Sequence, residues 1–149
     1  MNNEKTIQQN AQLPKYFKLI VGLAIGWNLL GVMAFVVQWF MTPEMLAQMP
    51  IAEQELYNNT PLWVTAAFAI AVFTGTVGCL LLLMKKAIAL NILMLSLVAV
   101  FVQMFYLFAL ANAFAVYGIG GSIMPALVII VAVILVRWTK SLKAKGLLH

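Results

Sequence analysis

The chain has 149 residues, 64% of them apolar and 9% charged, against about 45–50% and about 25% in an ordinary soluble domain. A mean hydropathy of +1.01 leaves too little polar surface to cover a water-soluble core, so the length accommodates one small integral membrane unit. The formal net charge is +5, but the basic residues are dispersed and form no patch for nucleic acid. Cys79, the only cysteine, excludes an intramolecular disulfide scaffold.

Charged residues delimit the apolar runs. There are 25 uncharged residues between Lys18 and Glu44, 29 between Glu55 and Lys85, and 50 between Lys86 and Arg137. A helix needs about 20 apolar residues to cross about 30 Å of hydrocarbon. The first run therefore predicts a spanning helix over residues 19–41 and the second a helix over 62–84. The first run has no small-residue cleavage site and is expected to be retained rather than removed as a signal.

The third run would be about 75 Å long as a single helix and has to turn back. Asn112, Gly118, Gly120, Gly121 and Pro125 mark the break, which predicts helices over 87–110 and 119–136. These runs are apolar on every face rather than alternating, which excludes a β-barrel. The expected fold class is an all-α integral membrane protein, a four-transmembrane-helix bundle within a single domain, 1–149.

Lys5, Lys15 and Lys18 precede the first helix, Lys85 and Lys86 join the second to the third, and Arg137, Lys140, Lys143 and Lys145 follow the fourth. Glu44, Glu53 and Glu55 lie in the connection between the first two helices. By the positive-inside rule, the segment 1–18 and the basic tail 137–149 are expected in the cytoplasm, giving an N-in/C-in topology. The loop 42–61 then faces outward.

That loop carries its own signals. Thr42 reads as an N-cap, Pro43 as the first helical position and Glu44 as a favourable dipole charge. Met45, Met49, Ala52 and Leu56 recur at helical spacing, but Pro50 disfavours a helical Met49. Two short helical turns lying in the interface are predicted, in preference to a mobile lid.

One internal similarity stands out. Residues 30–40 (LGVMAFVVQWF) align without gaps on residues 95–105 (LSLVAVFVQMF). Both run from inside to outside, so a duplication would be parallel, built from two helical hairpins.

No acidic or basic side chain is embedded in a span, and the sole histidine is His149. Proton relays and ion-coupled carriers place such groups within the bilayer. No metal-ligand spacing, paired carboxylates or activated serine is present. The chain is therefore expected to be no enzyme and to need no cofactor or metal.

The embedded polar groups are neutral, and an amide in hydrocarbon needs a partner. One reading has Asn28, Thr74, Thr76, Ser96 and Gln103 bonding across helices, with Gly75, Gly78 and the Gly22–Gly26 pair of a GxxxG allowing close approach. The other has Trp27, Asn28, Gln38, Gln103 and Tyr106 lining a pocket for a small neutral polar solute such as a sugar. Trp39, Trp63, Trp138, Tyr16 and Tyr57 read as interfacial anchors.

Four stretches carry a resemblance: WNLLG at 27–31 through Gln38, MTPE at 41–44, YNNTPLW at 57–63 and VQMFY at 102–106. In these, covering most of the chain, the sequence resembles a family of small bacterial inner-membrane proteins with four predicted helices, often labelled "sugar transporter". The resemblance implies a bacterial cytoplasmic membrane and solute transport, and brings no functional residues with it. Two function classes follow: an uncoupled carrier or facilitator for a neutral solute, and an accessory protein packing against another membrane complex. The expected partners are the lipid bilayer, a neutral solute, and a second copy or another membrane protein.

Overall fold

The computed structural model describes residues 12–149; Lys5 and the rest of the predicted N-terminal segment before residue 12 lie outside the described residues. Helix α1 spans Phe17–Trp39, α2 Pro43–Ala47, α3 Ile51–Asn58, α4 Leu62–Leu83, α5 Ala89–Phe105 and α6 Ala113–Ala144. A π-helical turn, Tyr106–Leu110, continues α5. Among the described residues four helices, α1, α4, α5 with its continuation, and α6, are long and apolar enough to cross a membrane. The fold is an all-α bundle of four such helices.

The four pack as an arc: α1 on α4, α4 on α5, and α5 on α6. In the most apolar stretches of α4 and α5 a third of the residues are buried, against 6% in α1 and in α6, so the middle pair forms the centre. Buried small residues make this contact, among them Ala67, Ala71, Gly75 and Gly78 on α4 and Ala89, Ser96 and Ala99 on α5. A Cβ added at Gly78 would fall 2.6 Å from Leu93 Cδ2 and 3.3 Å from the Leu93 backbone nitrogen. Only glycine permits that approach.

Phe17, Val21, Leu82, Ala89, Leu142 and Leu148 share one core cluster. The start of α1, the α4–α5 turn and the end of α6 therefore lie at one end of the bundle, together with the described basic residues. Lys85 turns the chain with φ 59°, and the Lys86 N–H donates to the Leu81 carbonyl at 2.9 Å, a Schellman closure with lysine where glycine is usual. Gly146, φ 68°, makes the same closure after α6, where the Leu147 N–H donates to the Leu142 carbonyl at 3.1 Å. The two closures are joined. The His149 N–H donates to the Lys85 carbonyl and the Ala87 N–H to the His149 carbonyl, both at 2.8 Å.

The stretch 137–149 is thus not a loose tail. It continues α6 to Ala144 and then docks, because Leu142 and Leu148 bury apolar surface while Lys143 and Lys145 stay exposed.

At the opposite end, Thr42 Oγ1 accepts the Met45 N–H at 3.3 Å and caps α2. The chain breaks before Pro50 and resumes as α3, so residues 42–61 hold two short helices. Tyr57 donates its hydroxyl to the Gln38 carbonyl and Tyr106 to the Asn59 carbonyl, each at 2.9 Å. These bonds fasten α3 across the end of the bundle.

The α5–α6 connection differs from a single glycine-rich loop. The chain turns at Asn112, φ 48°, enters α6 at once, and bends inside it at Gly118 (φ 65°, ψ −166°), a conformation essentially confined to glycine. The predicted start at 119 therefore marks a bend, and α6 runs eight residues beyond 136.

Candidate functional site

The arc encloses a cavity of about 710 Å³ lined by α1, α3, α4, α5 and α6, within the range of about 300–1,000 Å³ typical of small-molecule sites. Met49, Glu53, Leu56 and Tyr57 of the α2–α3 segment cover it at the acidic end. A second hollow of about 440 Å³ lies between α1 and α6, lined by apolar side chains including Ile20, Leu23, Ala24 and Ile134. The two hollows share Trp27, Val131 and Leu135. At the basic end Phe17 packs on Trp138, ring centroids 5.7 Å apart, and closes the seam there.

Four of the five residues predicted to bind a solute line the cavity: Trp27, Asn28, Gln38 and Gln103. Tyr106 does not. It is buried where α5 widens into the π turn, with its hydroxyl committed to Asn59 and its ring edge-on to Trp63 at 5.4 Å. Its role is to hold the loop.

Asn28 is at the cavity wall, but its amide is occupied. Nδ2 donates to the Ala24 carbonyl at 2.8 Å and to Cys79 Sγ at 3.5 Å, and a Cβ at Gly75 would overlap Asn28 Oδ1. The side chain is a wedge between α1 and α4. Gln38 and Gln103, by contrast, make no side-chain hydrogen bond to the described residues and are only half-buried. They occupy matched positions in the 30–40 and 95–105 similarity, and both face the cavity.

The packing residues divide in the same way. Ser96 Oγ donates across to the Ala71 carbonyl of α4 at 2.6 Å. Thr74 and Thr76 instead donate to Ile70 and Val72 of their own helix, so they join nothing. Gly75 and Gly78 sit in close contacts, whereas Gly22 and Gly26 have nothing within 4 Å of an added Cβ. The GxxxG lies on a face of α1 that no other helix among the described residues covers.

Four residues of the lining escaped the sequence reading. Glu53, assigned to the loop, is carried over the cavity by α3, and Tyr117 lines the same end; no local pattern announces either. Tyr57, read as an anchor, also lines the cavity. Gly121 has no side chain and therefore lines the cavity with its backbone. Pro125 has no N–H to give to the Gly121 carbonyl one turn back, and this spacing was legible. Irregular backbone at membrane depth is tolerated where it lines a cavity.

Among the described residues Glu53 is the only charged one in the lining. Among the described residues no group of three His, Cys, Asp or Glu could hold a metal ion. No protein-family model, curated protein or solved structure matches this chain.

Proposed function

We propose that the protein is an uncoupled carrier for a small neutral, hydroxyl-bearing molecule, held in the central cavity. The proposed setting is a bacterial cytoplasmic membrane with both termini inside. One observation carries the reading: Gln103, a free amide, faces a cavity of about 710 Å³ beside the broken backbone of α6. A free amide, and a carbonyl at Gly121 that Pro125 deprives of its helical donor, offer hydrogen bonds to hydroxyl groups. None of the spanning helices adds a charge to the lining, so nothing there calls for a coupling ion.

The test is thermal unfolding in phosphatidylcholine nanodiscs, with a panel of sugars and polyols with and without an alkyl chain. A ligand at a hundred times its dissociation constant adds about 2.7 kcal/mol. Gln103→Leu should abolish a saturable shift and leave unliganded stability within about 0.5 kcal/mol. A panel with no shift, or a shift that survives Gln103→Leu, overturns the assignment.

A second reading, an accessory protein docked on another membrane complex or on a second copy, rests on the uncovered Gly22–Gly26 face. Gly26→Leu should then abolish recovery of a partner without altering the monomer's melting.

A further inference from the structure

We infer that the ligand reaches this site sideways from the bilayer, and that it is a single-chain amphiphile with an uncharged hydroxyl-bearing head; this rests on the neutral-solute reading above.

The first support is the way the arc stays open. Contacts join α1 to α4, α4 to α5 and α5 to α6, while α1 and α6 have no comparable interface. They meet at the basic end through Phe17 and Trp138 and are bridged at the other end by α3, which bonds Gln38 of α1 through Tyr57 and touches α6. Between these closures the cavity continues past Trp27 into the α1–α6 groove. The side chains flanking that groove, Leu23 and Ile134, are among the most exposed apolar residues of the two helices, at 67% and 62%. In a membrane they face lipid, so the groove opens on lipid.

The second support is the division of chemistry between the two hollows. Every side chain lining the groove is apolar apart from the indole N–H of Trp27 and Trp138, which suits a hydrocarbon chain. Polar groups lie further along, towards the α3 end, in the side chains of Gln38, Gln103 and Glu53 and in the Gly121 backbone, whose carbonyl lacks the N–H of Pro125. Glu53 when ionised, the carbonyl of Gly121 and the oxygens of both amides are acceptors, which matches a head rich in hydroxyl donors. A chain in the groove and a head beneath α3 would use both hollows at once. A soluble sugar would use only the central cavity, and would have to pass the α3 cover to reach it.

The experiment compares octyl glucoside, glucose and octylamine, below solubilising concentration, by melting in phosphatidylcholine nanodiscs. Octyl glucoside should stabilise the protein saturably at a concentration at least 100-fold below any effect of glucose. Leu23→Trp should remove that response by filling the groove. Leu23 is exposed, so the variant should fold; Val131→Trp narrows the same passage from α6 and should behave alike. A glucose shift at comparable concentration, unchanged in both tryptophan variants, places entry on the water side and overturns this inference while leaving the neutral-solute reading intact. An octylamine shift equal to or larger than that of octyl glucoside, lost in Glu53→Gln, makes the site a cation-binding one and overturns both. No shift with any of the three also overturns both.

Discussion

The α4–α5 contact and the α1–α6 seam are built from helices of nearly the same apolarity. Mean hydropathies of the spanning windows are 2.3 and 2.4 for the tight pair and 2.2 and 2.7 for the open one. Yet the first pair buries a third of its residues and the second 6%. Hydrocarbon solvates a leucine as well as another helix does, so apolarity drives no association within a bilayer. Side-chain size and a few interhelical hydrogen bonds decide. Where α4 presents Gly75 and Gly78, Ser96 and Leu93 of α5 come into contact; where α1 presents Ile20 and Leu23 and α6 presents Ile134, a groove is left.

The largest effect is expected from closing the distance that glycine allows. Gly78→Ala should destabilise the bundle by about 1–3 kcal/mol, the usual range for overpacking. Gly22→Ala, on the uncovered face of α1, should stay within about 0.5 kcal/mol. Unfolding of the two variants side by side checks the contrast, and equal losses would mean that the α4–α5 contact is looser than described.

Next comes the wedge between α1 and α4. Asn28→Ala removes the bonds to Ala24 and Cys79 and should lower stability by about 0.6–2 kcal/mol, visible as a lower melting temperature without ligand. Gln103→Leu, with no such partner, should not. If Asn28→Ala melted normally, its amide would be free after all and the earlier assignment of Asn28 to solute binding would return.

Smaller still is the loop fastening. Tyr106→Phe deletes one hydrogen bond, worth about 0.5–1.5 kcal/mol, and should raise amide exchange in α3 while leaving α4 and α5 protected. Uniformly raised exchange would show that Tyr106 supports the bundle rather than the loop.

The smallest effect concerns Glu44. Its carboxyl is held below the ordinary carboxylate range by its own backbone N–H and by the Thr42 hydroxyl. A depressed folded pKa means the contribution is present above the unfolded pKa and fades as pH falls through the folded one. Carbon-detected titration should find the Glu44 midpoint below that of an ordinary glutamate, and Thr42→Ala should move it upward.

Much of this fold was legible in the sequence. The four apolar runs, the cap at Thr42 and the break at Pro50 all follow from local chemistry. The site was legible only in part. Trp27, Asn28, Gln38 and Gln103 were singled out as polar or aromatic groups in hydrocarbon, and all four line one cavity. Their roles were not separable, because whether an amide is free depends on a sulfur 51 residues away in Asn28's case. Tyr106 was misplaced because a π turn begins at Tyr106 itself, three residues after Gln103. Glu53 was overlooked because its place over the cavity is set by α3 crossing the bundle, and no residue near it in sequence encodes that crossing.

The sequence by itself determined that this is an all-helical membrane chain of four spans and segregated its basic residues from its three loop acids, since run length, charge and proline act locally. Only the tertiary structure decided which faces meet. Every face of these helices is apolar, so periodicity carries no record of what is buried. The choice fell to steric fit between particular side chains: Gly75 against Asn28 and Ser96, Gly78 against Leu93, and no such match between α1 and α6, where the cavity opens.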